Sequence, residues 1–179
     1  DPQKLQFLQG RYLFELGQEK RAREILNSLS RARGLYSHKA KFLLFEKELG
    51  PLPYAEDAVS QLQKFFFKDP DPQIQKDAFK ALQRHYQSRF RDYALLEKAE
   101  RLELSKHQLP AYQRILQRGI ESFPVRSENI RLDLYHLLLT LESFKSAKTH
   151  LDWFRTYSKP PLSLEVQFSW ARANQDQSA

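Results

Sequence analysis

Five histidines, His38, His85, His107, His136 and His150, and a run of carboxylates, Glu97, Glu100 and Glu103, are the residues of this chain whose types suit acid–base work or metal ligation. A metal site wants two such ligands three or four residues apart, facing one way from a helix, with more ligands close by. No histidine here forms such a pair that is repeated nearby, so metal ligation is weakly supported. His136 and His150 approach one another only if a helical hairpin joins them; otherwise each reads as a surface or helix-end residue. Glu97, Glu100 and Glu103 share one side of a helix with Lys98, Arg101 and Lys106, the make-up of a solvated, ion-paired face. Cysteine is absent, which excludes disulfides, thiolate metal sites and cysteine nucleophiles. No phosphate-cradling glycine loop and no Gly-x-Ser-x-Gly turn occurs. The expectation is a protein without catalytic residues, metal or cofactor.

A second chemistry is carried by cations mixed with aromatics. Arg11, Lys20, Arg21, Arg23, Arg31, Arg33, Lys39, Lys41 and Lys47 are followed by a comparable basic set from Lys76 to Arg118, among Tyr12, Tyr36, Tyr86, Phe90 and Tyr93. Such a mixture can hold single-stranded nucleic acid through phosphates and stacked bases. Glu15, Glu19, Glu24, Asp77, Asp92 and Glu97 interrupt it, so it reads first as solvated helix faces, then as a peptide-binding basic groove, then as a nucleic-acid surface. The net charge of +7 admits an acidic partner without choosing among these.

The elements that position these side chains are helices. Apolar residues recur at three- and four-residue intervals almost throughout, and the blocks between breaks are rich in Leu, Ala, Gln, Glu, Lys and Arg. About ten helices are predicted, over 3–16, 19–31, 36–49, 54–68, 73–89, 92–106, 109–122, 127–141, 144–157 and 162–174. Between them stand Gly17, Gly34, Gly50-Pro51, Asp69-Pro70-Asp71-Pro72, Phe123-Pro124 and Pro160-Pro161, which supply left-handed closing residues or remove the N–H that a continuing helix needs. No apolar run approaches the ~18 residues that cross a bilayer.

The helices repeat. Ala22, Ala58 and Ala94 are spaced by 36 residues, as are Ala111 and Ala147. Ala22 is followed by Leu26 and Leu29, Ala58 by Leu62 and Phe65, and Ala147 by Leu151 and Phe154: a small residue, then large apolar ones at +4 and +7. With Gly10 and Gly17 before Ala22, and ESFKSAKTHLDWFRTYSKPP (142–161) ending on its prolines, the chain resembles the tetratricopeptide-type helical repeat proteins, whose period is about 34. The spacing of 36 implies longer turns.

This resemblance implies an all-α fold of antiparallel hairpins stacked into a right-handed superhelix, an α-solenoid, filling 1–179 as one domain, with 162–179 a capping helix and frayed tail. It also implies a protein-interaction scaffold or adaptor whose first helices line a concave groove holding a peptide or partner protein. Carried over residue by residue, Phe7, Arg11 and Phe14 fall on that groove in the first helix, Lys47 in the third and Arg84 in the fifth. The family's lysine–asparagine pattern for clamping a peptide C-terminus is not among these residues. The two other readings are a helical-repeat single-stranded nucleic-acid binder and an accessory α-superhelical region of a larger cell-envelope enzyme. Position 1 is not methionine, which reads as a processed or trimmed piece of a longer chain and, with no cysteine, leans towards an exported bacterial protein.

Two stretches are ambiguous on pattern alone. In FFFKDPDPQ (65–73), successive residues point about 100° apart, so Phe65, Phe66 and Phe67 cannot share one narrow face. They read as the wide buried arc of a stacked helix, with an exposed partner patch or a membrane contact as alternatives; Asp-Pro-Asp-Pro ends that helix and caps the next. LSLEVQFSW (162–170) alternates like a strand, yet as a helix it stripes Leu162, Val166 and Trp170 together and follows two prolines; helix is the preferred reading.

Overall fold

The Asp1 carboxylate accepts hydrogen bonds from the amides of Gln3 (2.9 Å) and Lys4 (3.4 Å), and Pro2 stands where a helix needs no N–H. The helix so started is α1 (Pro2–Glu15), the first element of a computed structural model that describes residues 1–91, 96–140 and 144–157. Contacts divide the chain into two compact units, 1–91 and 92–179. Tyr93, Ala94 and the expected helix at 162–174, with its strand alternative and tail, lie outside the described residues.

In the first unit the helices α2 (Glu19–Ser30), α3 (Leu35–Glu48), α4 (Glu56–Lys68) and α5 (Pro72–Phe90) follow α1. Gly17 turns the chain out of α1 with a φ of +73°, a left-handed conformation that a Cβ would strain, and the Gln18 amide donates back to the Leu13 carbonyl at 2.9 Å. The chain then returns antiparallel. Gly10 of α1 lies against Leu26 of α2 so closely that a Cβ on it would stand 2.6 Å from Leu26 Cγ. The missing side chain is what lets these two helices approach.

The same alternation continues. Arg23–Glu48 (2.6 Å) and the Ser37 hydroxyl donating to the Ser30 carbonyl (2.9 Å) tie α2 to α3 in antiparallel sense. Phe42 and Phe45 on Phe65, with His38 3.2 Å from Asp69, do so for α3 and α4. Phe66 on Phe79, with Gln63 donating to the Tyr86 hydroxyl, does so for α4 and α5. Every second helix therefore runs the same way: Phe7 meets Tyr36 and Phe14 meets Lys47, so α1 and α3 lie parallel. Phe14, Ala22, Leu26, Leu29 and Ala40 form the buried core of the first three helices, and Leu62, Phe66, Ile74, Ala78, Phe79 and Leu82 are buried in α4 and α5.

The phenylalanine triplet splits three ways. Phe66 is 2% exposed, Phe65 is half-buried between Phe42 and Phe45, and Phe67 is 43% exposed with its ring against Phe66. The wide buried arc expected of all three is thus reached by two, because α4 is covered by α3 and α5 and left open beyond them. The prolines behave as read: α4 ends at Asp69, whose carboxylate accepts from the Asp71 amide (2.9 Å), and Asp71 caps α5 by accepting from the Gln73 amide (2.8 Å).

In the second unit α6 (Lys98–Glu103), a π-helical segment (Leu104–Gln108) and α7 (Leu109–Ser122) run on without a break, followed by a 3₁₀ turn (Pro124–Arg126), α8 (Ser127–Thr140) and α9 (Phe144–Tyr157). The described residues therefore hold eight helical rods and no strand, where about ten helices are predicted. The predicted break near 107 is replaced by a π bulge directly before Pro110. A wider turn accommodates both the missing N–H and the ring that collides with the carbonyl of the preceding turn. α8 packs on α7 and α9, burying Leu134, Tyr135, Leu138, Ala147, Leu151 and Phe154, so the +4 and +7 pattern after Ala147 marks core. No helix of the described residues is long and apolar enough to cross a membrane.

Candidate functional site

The parallel run of alternate helices leaves a groove of about 450 Å³ in the first unit, lined only from α1, α3 and α5 with the residue that caps α5. From α1 come Phe7, Arg11, Phe14 and Glu15, which repeat at intervals of three, four and seven on one helical face. From α3 come Lys39, Phe42, Leu43, Glu46 and Lys47. Asp71 and, from α5, Gln73, Ile74 and Asp77 close the third side. The floor is apolar: Phe14, Phe42 and Ile74 are buried and Phe7 and Leu43 half-buried.

The charges around that floor are mostly engaged. Arg11 Nε lies 3.2 Å from Glu15 Oε1, and Lys39 Nζ lies 3.4 Å from Asp71 Oδ2. The ammonium of Lys47 sits 5.5 Å above the Phe14 ring, which the Arg23 guanidinium approaches from elsewhere at 5.9 Å. Asp77 accepts from Gln73 Nε2 at 2.7 Å and is 3.7 Å from Lys80 Nζ. Glu46 has no ion-pair partner among the described residues, nor has Lys47. Asp71 is 5% exposed and its Oδ2 accepts no hydrogen bond, although the Lys39 ammonium is within ion-pair distance. The helix-capping oxygen is its partner Oδ1.

Of the residues that the sequence nominates, Phe7, Arg11, Phe14 and Lys47 line this one groove. Arg84 does not. It is exposed on α5 seven residues beyond Asp77, on the same face but about 10 Å further along the helix. Phe14 is a core residue, 9% exposed, and Arg11 is committed to Glu15. Sequence reasoning missed Phe42, Leu43, Glu46, Asp71, Ile74 and Asp77. A signal for the third helix was present: LYSHKAKFLLFEKE carries apolar residues on more than one face, as suits a helix contacted on several sides.

His85 and His150 are held by contacts within the fold. His85 Nδ1 accepts the Tyr54 amide at 3.0 Å and its ring stacks on Tyr54; burial, with Arg89 nearby, lowers its pKa to about 4. His150 contacts Arg131 (3.4 Å) across the α8–α9 hairpin while His136 is exposed, so the two histidines are not brought together by contact. Burial and the Arg131 charge lower the His150 pKa. Arg131 stacks on Trp153 at 4.2 Å. Glu100 accepts from the Glu97 amide (3.2 Å), capping α6, and the three glutamates are exposed. Among the described residues no three potential metal ligands converge. Of the aromatics that would stack bases, Tyr86 is 3% exposed and Tyr36 is packed on Phe7, while Tyr12 is exposed. No family model, no curated protein and no solved structure matches this chain.

Proposed function

We propose that this protein is an interaction scaffold that binds rather than catalyses, and that residues 1–91 form a tetratricopeptide-like, right-handed stack of helical hairpins presenting the α1–α3–α5 groove to a peptide segment of a partner protein. The observation that carries this reading is the groove itself: an apolar floor edged by charge, built from alternate helices of successive antiparallel pairs. Supporting it, the side chains lining the groove come from three elements far apart in sequence, which is how a stacked array makes an extended binding surface.

A photo-crosslinking side chain at Leu43 in the groove, compared with one at the exposed Lys20 of α2, tests the reading in native lysate. Discrete protein adducts formed from position 43, absent from position 20 and resistant to nuclease, are expected. Adducts of equal pattern from both positions, or their loss with nuclease, would overturn it; the second result would favour single-stranded nucleic acid.

A further inference from the structure

The groove's charge points away from the whole molecule's. The chain carries +7, yet the groove is lined by four carboxylates, Glu15, Glu46, Asp71 and Asp77. Against them stand three cations, Arg11, Lys39 and Lys47. Two of those cations are already held, Arg11 by Glu15 and Lys39 by Asp71, and Lys47 rests on a phenyl face. Glu46 is left without a counter-charge among the described residues, and Asp77 has only the Lys80 ammonium at 3.7 Å on its own helix. Asp71 adds a buried carboxylate oxygen with no hydrogen-bond donor. Because α1 and α3 run parallel, their C-terminal ends, rich in unsatisfied carbonyls, point to the end of the groove where Glu15 and Glu46 stand.

Phenyl faces beside carboxylates suit one kind of side chain: a cation on a hydrocarbon stem, which lays the stem on the rings and offers its N–H groups to the acids. Lys47 over Phe14 and Lys39 between Tyr36 and Asp71 are intramolecular instances of that arrangement. We infer that the groove's occupant is a peptide segment that joins aliphatic residues to arginine or lysine, with the apolar side chains on Phe7, Phe42 and Ile74 and the cation at Glu46 and Asp77. This replaces the acidic partner that the overall charge suggests, and it rests on the groove being a peptide site.

The test uses two short labelled peptides, one of leucine and arginine and one of leucine and glutamate, titrated by fluorescence anisotropy against the full chain. The leucine–arginine peptide is expected to bind, the double variant Glu46→Gln/Asp77→Asn to weaken it by about fivefold and Lys47→Ala to tighten it by roughly twofold. Both variants replace exposed or half-buried side chains, and an unchanged thermal melt verifies their fold. Binding of the leucine–glutamate peptide instead, weakened by Lys47→Ala, would overturn the inference and leave the groove reading standing. Binding of either peptide that is unaffected by Leu43→Glu as well would overturn both, and failure of both peptides to bind would overturn the inference.

Discussion

His85 is 3% exposed, and accepting the Tyr54 amide through Nδ1 leaves its proton on Nε2. Its pKa falls from 6.5 to about 4 because burial, and then Arg89, oppose the charged form. The sign follows from which state binds the proton. Above the unfolded value both states are neutral and the histidine's contribution is intact; as pH falls from 6.5 towards 4 the unfolded chain takes up a proton that the folded protein refuses, and stability is lost. Between about pH 7.5 and about pH 5 the wild-type protein should lose roughly 2 kcal/mol more than His85→Gln, which keeps an acceptor but does not titrate. Urea unfolding at the two pH values reads this difference, and parallel losses in both proteins would contradict it. At this scale the sequence was least informative. Nothing adjacent to His85 announces Tyr54, which lies 31 positions away.

At the scale of helices, the closest approach is Gly10 on Leu26. Gly10→Ala improves helix propensity by about 1 kcal/mol, but its new methyl meets the branch point of a fully buried leucine that cannot swing aside. Overpacking costs about 1–3 kcal/mol and should win, so the variant is expected to melt below wild type. In a Leu26→Ala background the same substitution should become neutral or stabilising, and a double-mutant cycle by denaturant unfolding measures that coupling. Additive effects would mean that the contact does not set the α1–α2 distance. Element positions were legible because they depend on local chemistry: Gly17, Asp71 and the prolines stop or cap helices within one turn. The break expected at 107–108 does not occur, because the π bulge that carries the chain through is a backbone adjustment that no residue type in LSKHQ (104–108) specifies.

At the scale of the molecule, the core of α1 to α3, the packing of α4 on α5 and the whole groove lie within 1–91. Residues 1–91 produced alone should keep a helical circular-dichroism spectrum, melt in one cooperative transition and bind the leucine–arginine peptide as the full chain does. A disordered fragment would show that the second unit is needed for the first to fold. The sequence by itself determined that the chain is helical, where most helices start and stop, and that Phe7, Arg11 and Phe14 share one face of the first helix, since each follows from side-chain type and the 3.6-residue turn. Only the tertiary structure decided which of Phe65, Phe66 and Phe67 is buried, that Asp71, Ile74 and Asp77 close a groove opened by α1, and that the groove is more acidic than the chain. Those outcomes depend on which helices become neighbours and how close they come, and that is fixed by packing between residues distant in sequence.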